Sequence, residues 1–382
     1  MQEPPLSLYV HLPWCVRKCP YCDFNSHTAG DNAPRARYIK ALLADLDVEA
    51  VRAQQRPLIS VFLGGGTPSL FTADEIAELI DGIRERFVLV QDVEITMEAN
   101  PGTVECGDPA GYRKAGVNRL SIGAQSFNDK MLAKLGRIHS VDDIARAVEE
   151  AHAAGFTKVN IDVMYGLPDQ SQDAALDDLR AAAALSPSHL SWYQLTLEPN
   201  TVFFSRPPAG LPDNDASFDI QVAGQELLAT LGYEQYEISA YARDDAFRSQ
   251  HNLNYWSFGD YLAVGAGAHG KISDQQGISR YVKPANPLQY MQSLEEGVPQ
   301  AELTMLDDRE RMFEFMLNAL RLSGGFDQDL FQQRTGLGAE TLLERLVASQ
   351  EKGLIEQVSG GNWRATDLGQ RFLNDLQAEF LP

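Results

Sequence analysis

Three of the four cysteines in this 382-residue chain, Cys15, Cys19 and Cys22, sit close together near its start, with three and then two residues between them. The fourth, Cys106, stands alone and is expected to play no part with the others. A disulfide framework would spread its thiols along the chain, so clustering of this kind points to metal. A compact loop can fold three thiolates around one [4Fe-4S] cluster, and three ligands for four irons leave one iron open to a ligand. By spacing alone, a zinc site completed by His11 or His27, or plain buried cysteines, are also compatible.

That loop must be carried by something, and the sequence supplies a repeating frame. Short apolar runs at Leu8–Leu12, Ile59–Leu63, Val93–Met97, Arg119–Ile122, Val159–Met164 and Leu190–Leu195 read as strands. Helical patterns alternate with them at Arg35–Arg52, Ala73–Phe87, Pro109–Ala115, Val141–Ala154 and Ala174–Ala184; Thr72, with Glu75 three residues on, is a helix-start signal. Repeated strand–helix units predict an α/β fold with a parallel sheet. Six units, fewer than a closed eightfold barrel needs, predict a partial (β/α)6 barrel with its functional residues at the strand C-termini.

The cysteine loop follows the first of these strands, and Gly64-Gly65-Gly66-Thr67-Pro68 follows the second. Glu98, Gln125, Arg137 and Asp162 fall at or beyond later strand ends. Each alone reads as a cap, a surface charge or a solvated side chain. Together, acid, amide, guanidinium and acid offer what a cofactor's ribose, amino and carboxylate groups require.

Downstream, Arg206–Pro212 reads as a loop and Asp215–Leu231 as a helix, followed by a Gly-rich, aromatic stretch to about Gly270. From Thr304 the pattern changes to helices at Asp308–Leu322, Leu330–Gln333 and Ala339–Gln350. Strands at Leu354–Val358 and Asn362–Ala365, turned at Gly360-Gly361, and a last helix from Asp367 follow. This order predicts a small winged-helix-like α+β domain. The expected division is 1–235 for the partial barrel, 236–303 for an extension and 304–382 for the C-terminal domain.

The formal charge is −21, with 53 acidic against 32 basic residues and no basic run, so a nucleic-acid partner is disfavoured. The start of the chain shows no signal-peptide pattern, and no stretch approaches about 18 consecutive apolar residues. No transmembrane segment and a cytoplasmic location are expected.

The CxxxCxxC loop after strand one, with the glycine run after strand two, resembles the radical S-adenosylmethionine (SAM) superfamily. The resemblance implies that the open iron chelates the amino and carboxylate groups of SAM, whose reductive cleavage yields a 5′-deoxyadenosyl radical. It implies SAM contacts at Tyr21, Gly65, Gly66 and Thr67, with glycines that let the backbone approach the ligand. The coproporphyrinogen III oxidase-like branch is similar over most of the chain. There Tyr9 takes the place of the cluster-side tyrosine, and Glu98 that of the SAM-binding glutamate. Gln125, Arg137 and Asp162 match positions that bind a second SAM in the oxidase.

Two features depart from the oxidase: Phe24 stands where it has a fourth cysteine, and the chain reaches its first cysteine at residue 15 rather than after a long extension. A third feature is added. His251-Asn252-Leu253-Asn254-Tyr255-Trp256 resembles the HNxxYW signature of the HemW-type heme chaperones of this branch. That resemblance implies a [4Fe-4S] cluster, SAM and heme as cofactors, with His251 as heme ligand. It also implies transfer to an acceptor protein, a respiratory enzyme for example, with a homodimer as one option for assembly. Neutral imidazole is a common heme ligand, and Tyr255 and Trp256 offer flat apolar surface; a hydrogen-bonded core histidine is the plainer reading of the same residues. The alternative function is a radical SAM enzyme acting on a tetrapyrrole, by decarboxylation or SAM-dependent transfer. His269, in a Gly-rich turn, is expected to meet backbone or SAM groups.

Overall fold

The six strand-forming runs appear in a computed structural model as β1 (Leu6–Leu12), β2 (Leu58–Gly65), β3 (Leu89–Ala99), β4 (Arg119–Gln125), β5 (Lys158–Tyr165) and β6 (His189–Gln194). They are neighbours in that order, all parallel. The structure describes residues 3–30, 33–102, 107–358 and 361–381; Cys106 and Gly360 of the expected hairpin turn lie outside them. The apolar character of β1 follows from cover on both faces, since six of its seven residues are buried.

Helices connect these strands on the outside: α1 (Arg35–Ala53), α2 (Ala73–Arg86), α3 (Pro109–Ala115), α4 (Asp129–Lys134), α5 (Val141–Ala153) and α6 (Gln172–Ala184). Thr72 and Glu75 close a reciprocal capping box on α2, as Ser140 and Asp143 do on α5. One continuous core, with Leu42, Leu63, Ile80, Ile122, Val148, Ile161 and Leu179 among its members, fills the space between sheet and helices.

The sheet does not stop at six. After α7 (Asn214–Thr230), β7 (Glu234–Glu237) and β8 (Ala240–Ala242) extend it antiparallel beyond β6. The chain then crosses through α8 (Gln250–Trp256) to the other side of β1. There β9 (Asp260–Val264) pairs parallel with β1, and β10 (His269–Asp274), β11 (Gly277–Val282) and β12 (Glu302–Met305) follow antiparallel. The result is a 12-stranded mixed sheet with a parallel centre. The aromatic stretch before Gly270 therefore holds a seventh parallel strand, and the HNxxYW residues lie on a helix capped by Ser249.

A buried charge cluster fastens the added strands to the first helix. Lys283 Nζ lies 2.6 Å from Asp45 and 2.7 Å from Glu49, and the hydroxyls of Tyr290 and Tyr281 donate to the same two carboxylates. α9 (Pro287–Glu295) packs beside α1.

The C-terminal part follows the predicted order: α10 (Asp308–Ala319), α11 (Gln328–Thr335) and α12 (Glu340–Glu351), then a hairpin of β13 (Ile355–Gln357) and β14 (Trp363–Ala365), then α13 (Asp367–Arg371). Its core gathers Phe315, Phe331, Leu346, Trp363 and Phe380 and takes in Phe258 and Ile278 from the main sheet region. The Phe315 ring meets Phe258 edge-on at 6.0 Å, so this unit braces the segment just after α8.

Candidate cofactor site

The cysteine loop leaves β1 and is held over the sheet by main-chain bonds to the glycine run. Gly66 N donates to Leu12 O at 2.8 Å and Thr67 N to Trp14 O at 2.7 Å. The glycines are demanded by this packing. A Cβ on Gly65, whose φ is +112°, would sit 2.4 Å from the His11 ring. A Cβ on Gly66 would sit 2.7 Å from the backbone of Pro13 and Trp14. The chain's own cysteine-bearing segment makes a close approach to these glycines.

Cys15, Cys19 and Cys22 line one cavity of about 370 Å³, together with Tyr21, Gly65, Gly66, Thr67, Gln125 and Arg137. Arg137 Nη1 donates to Cys19 Sγ at 3.7 Å, while Nη2 donates to Asn100 Oδ1 and Gly123 O. Burial pushes the Cys22 thiol up. Among the described residues no three His, Cys, Asp or Glu side chains close around a single ion, so the thiols share a chamber rather than a tight mononuclear site. A polynuclear cluster, whose ligands stand apart on separate irons, fits this donor set.

A second chamber of about 370 Å³ lies over the inner face of the sheet, lined by Glu98, Gln125, Asp162, Ser191 and Tyr193 among others. Glu98 Oε2 accepts the Gly65 N–H at 3.0 Å, and burial pushes its carboxyl up to about 7. Asp162 accepts from Ser121 Oγ and Asn160 Nδ2, and its carboxyl is also raised by burial. Gln125 holds a left-handed φ of 70°, where the β4–β5 register slips, and its Oε1 accepts from Tyr193 at 2.8 Å. A non-glycine residue held there marks a strained site.

A third chamber of about 620 Å³ is walled by aromatics: Tyr9, Phe24, Phe62, Tyr255, Trp256 and Tyr261. His251 lines it, is only 8% exposed, and packs on Phe62 with ring centroids 5.0 Å apart. Ser60 Oγ donates to Ser7 Oγ at 2.7 Å, and Asn254 Nδ2 donates to Ser7 at 2.9 Å. The 3.1 Å contact between Ser60 Oγ and His251 Nδ1 therefore takes its proton from the imidazole. Nδ1 carries hydrogen, and Nε2 keeps the lone pair a metal needs. Burial pushes His251 down to about 4, which keeps the ring neutral near pH 7. A chamber of this size and polarity, with an available imidazole nitrogen, fits a flat apolar macrocycle that carries iron.

The sequence-derived residues divide among these chambers. The cysteines, Tyr21, Thr67 and Arg137 line the first, Asp162 the second, and Tyr9 and His251 the third. Gly65 and Phe24 line all three, so the chambers meet there.

Sequence reasoning missed Asn25. Its Nδ2 donates to Ala266 O and Ala285 O, its O accepts from His11 Nε2, and it ties the cysteine loop to the added strands. Ser7 and Ser60 were missed as well; both are buried on neighbouring strands, and only an inward-facing serine within an apolar run hinted at them.

Comparison with known proteins agrees with this arrangement. The Radical SAM superfamily model matches residues 9–181, and the HemN C-terminal domain model matches 306–372. The structure of coproporphyrinogen III oxidase (HemN) from Escherichia coli superposes with a TM-score of 0.83 at 25% identity, over 99% of this chain and 90% of that one. The fold and the cysteine loop define a radical SAM protein with a HemN-type C-terminal domain. The heme chaperone HemW of Escherichia coli strain K12 is 48% identical over 380 residues, 99% of this chain and 98% of its own. That of Haemophilus influenzae is 47% identical, and that of Bacillus subtilis 32%, at similar coverage. The chain belongs to the HemW heme chaperone family. No helix among the described residues is long and apolar enough to cross a membrane.

Proposed function

We propose that the protein binds heme in the aromatic chamber, with His251 Nε2 as an iron ligand, and hands it to an acceptor protein. The observation that carries this reading is the buried, neutral imidazole whose tautomer is set by Ser60 and which faces a 620 Å³ aromatic cavity. In this reading Cys15, Cys19 and Cys22 hold a [4Fe-4S] cluster. Tyr9, Tyr21, Gly65, Gly66, Thr67, Glu98, Gln125, Arg137 and Asp162 surround SAM.

Such a cluster, when bound, offers one iron to the amino and carboxylate groups of SAM. The chain's own residues do the rest. Glu98 and Asp162 present acceptors to a nucleoside or amino group, Arg137 steadies the cluster loop, and the aromatic walls exclude water from the macrocycle. Residues 1–235 would carry the cluster, 236–303 the heme contacts and 304–382 the docking of partners.

The test is anaerobic reconstitution with iron and sulfide, followed by heme titration in the Soret region, with coproporphyrinogen III turnover assayed on the same sample. Saturable binding near one heme per chain, altered in His251→Ala and without vinyl product, is expected. Vinyl product without specific heme binding would instead make the protein an enzyme acting on tetrapyrroles.

A further inference from the structure

We infer that His269 would serve as a second nitrogen ligand to the heme iron, the exposed and exchangeable partner of the buried His251 in the same chamber; the inference rests on the heme site proposed above. The chain has seven histidines, and their hydrogen bonds sort them. His189 uses both ring nitrogens within the core, and His139 bonds Ala124 O. His152 contacts carbonyls on the outer helices, and His27 is joined to Asn25.

Three line the aromatic chamber: His11, His251 and His269. His11 is spent, with Nδ1 on the Tyr9 hydroxyl at 3.0 Å and Nε2 on Asn25 O at 2.8 Å. His251 has given Nδ1 to Ser60. The His269 ring makes no hydrogen bond among the described residues, so the expected backbone contact is not made.

Its mount is rigid although its ring is not engaged. The turn before it is fixed by Ala268 N to Gly265 O, by Gly267 N to Pro284 O and by Asn25 Nδ2 to Ala266 O. Tyr290 and Tyr38 hydroxyls accept the N–H groups of Gly265 and Ala266. From His269 onward the antiparallel ladder with β11 begins. Ordering such a side chain on a ligand costs little backbone entropy. Partial burial and the nearby Arg280 push the imidazole down, which favours the neutral, metal-binding form.

The two imidazoles come from different elements, α8 and the start of β10, and differ in access. A transfer protein needs one ligand that stays and one that an acceptor's side chain can replace; the exposed ring suits the second task.

The experiment is optical and electron paramagnetic resonance spectroscopy of the ferric heme complex of the full chain, with wild type, His269→Ala, His269→Met and His251→Ala compared. Wild type should be six-coordinate and low-spin. His269→Ala should become high-spin at unchanged heme stoichiometry and lose heme faster to an excess of an apo-heme protein. His269→Met should stay low-spin with a raised reduction potential, because a thioether replaces imidazole. A high-spin wild type, or a His269→Ala spectrum identical to wild type while His251→Ala changes it, overturns the second ligand. An unchanged His251→Ala spectrum overturns the underlying site instead. Matching thermal unfolding of the apo variants guards against misfolding as the cause.

Discussion

Replacing Glu98 by Gln should stabilise the apo protein at neutral pH while it abolishes SAM binding. The carboxyl, ordinarily at 4.5, is pushed up to about 7 by burial. The folded state therefore retains a proton that the unfolded chain has released, and stability falls as pH rises from the unfolded value through the folded one. Between pH 5.5 and 8.5 the wild type traverses about 1.5 pH units of that window, which at 1.36 kcal/mol per unit is about 2 kcal/mol. Glutamine keeps an oxygen for the Gly65 N–H and has no charge to desolvate, so its stability should lack this component. Urea unfolding of the apo protein across that range, clear of the pI near 4.7, reads the difference. The variant's advantage should grow with pH to about 2 kcal/mol and level off above neutrality. A variant that is less stable at pH 8, or whose difference from wild type does not vary with pH, would refute the claim that Glu98 is a buried charge retained for binding. Equilibrium dialysis with SAM on the reconstituted protein completes the case, since a gain of stability coupled to a loss of affinity marks a functional residue.

Ser60→Ala leaves the His251 Nδ1–H buried without its acceptor and should lower heme affinity by about 10- to 100-fold at unchanged stoichiometry; an unaltered Soret titration would defeat the tautomer argument. Gly65→Ala forces a Cβ into the His11 ring at a left-handed φ. It should cost about 1–3 kcal/mol in urea unfolding and reduce the iron and sulfide retained on reconstitution. Lys283→Met leaves Asp45 buried without its cation and Glu49 with only the partly exposed Arg52 at 3.5 Å, and should destabilise by about 3–5 kcal/mol in chemical denaturation.

The part of the fold that could be read in the sequence is the part whose instructions are local. The six strands β1 to β6 announce themselves as short apolar runs, and the capping box at Thr72 marks a helix start. β9 is also an apolar run, Asp260–Val264, but what makes it a seventh parallel strand is pairing with β1, more than 250 residues earlier in the chain. Nothing within either segment records that partner. The candidate residues on strand ends were legible for the same local reason. Ser7, Ser60 and Asn25 act through hydrogen bonds to distant segments, and in the sequence they are ordinary polar residues.

That nonlocal pairing also explains why the glycine run and Phe24 matter together. When β9 docks on β1, it brings α8 against β1 and β2 and sets His251 beside Phe62. The chamber so created shares Gly65 and Phe24 as wall residues with the cysteine cavity and the inner chamber. At Gly65 a side chain would strike the ring of His11, itself part of the wall of the aromatic chamber. At residue 24 the oxidase pattern has a thiol, and here a phenyl ring, 58% exposed, adds apolar surface at the junction. A cysteine there would offer another soft ligand beside the cluster; phenylalanine offers none and extends the wall a porphyrin would lie against. Phe24 and the HNxxYW helix both line the aromatic chamber, next to the cavity that the three cysteines share.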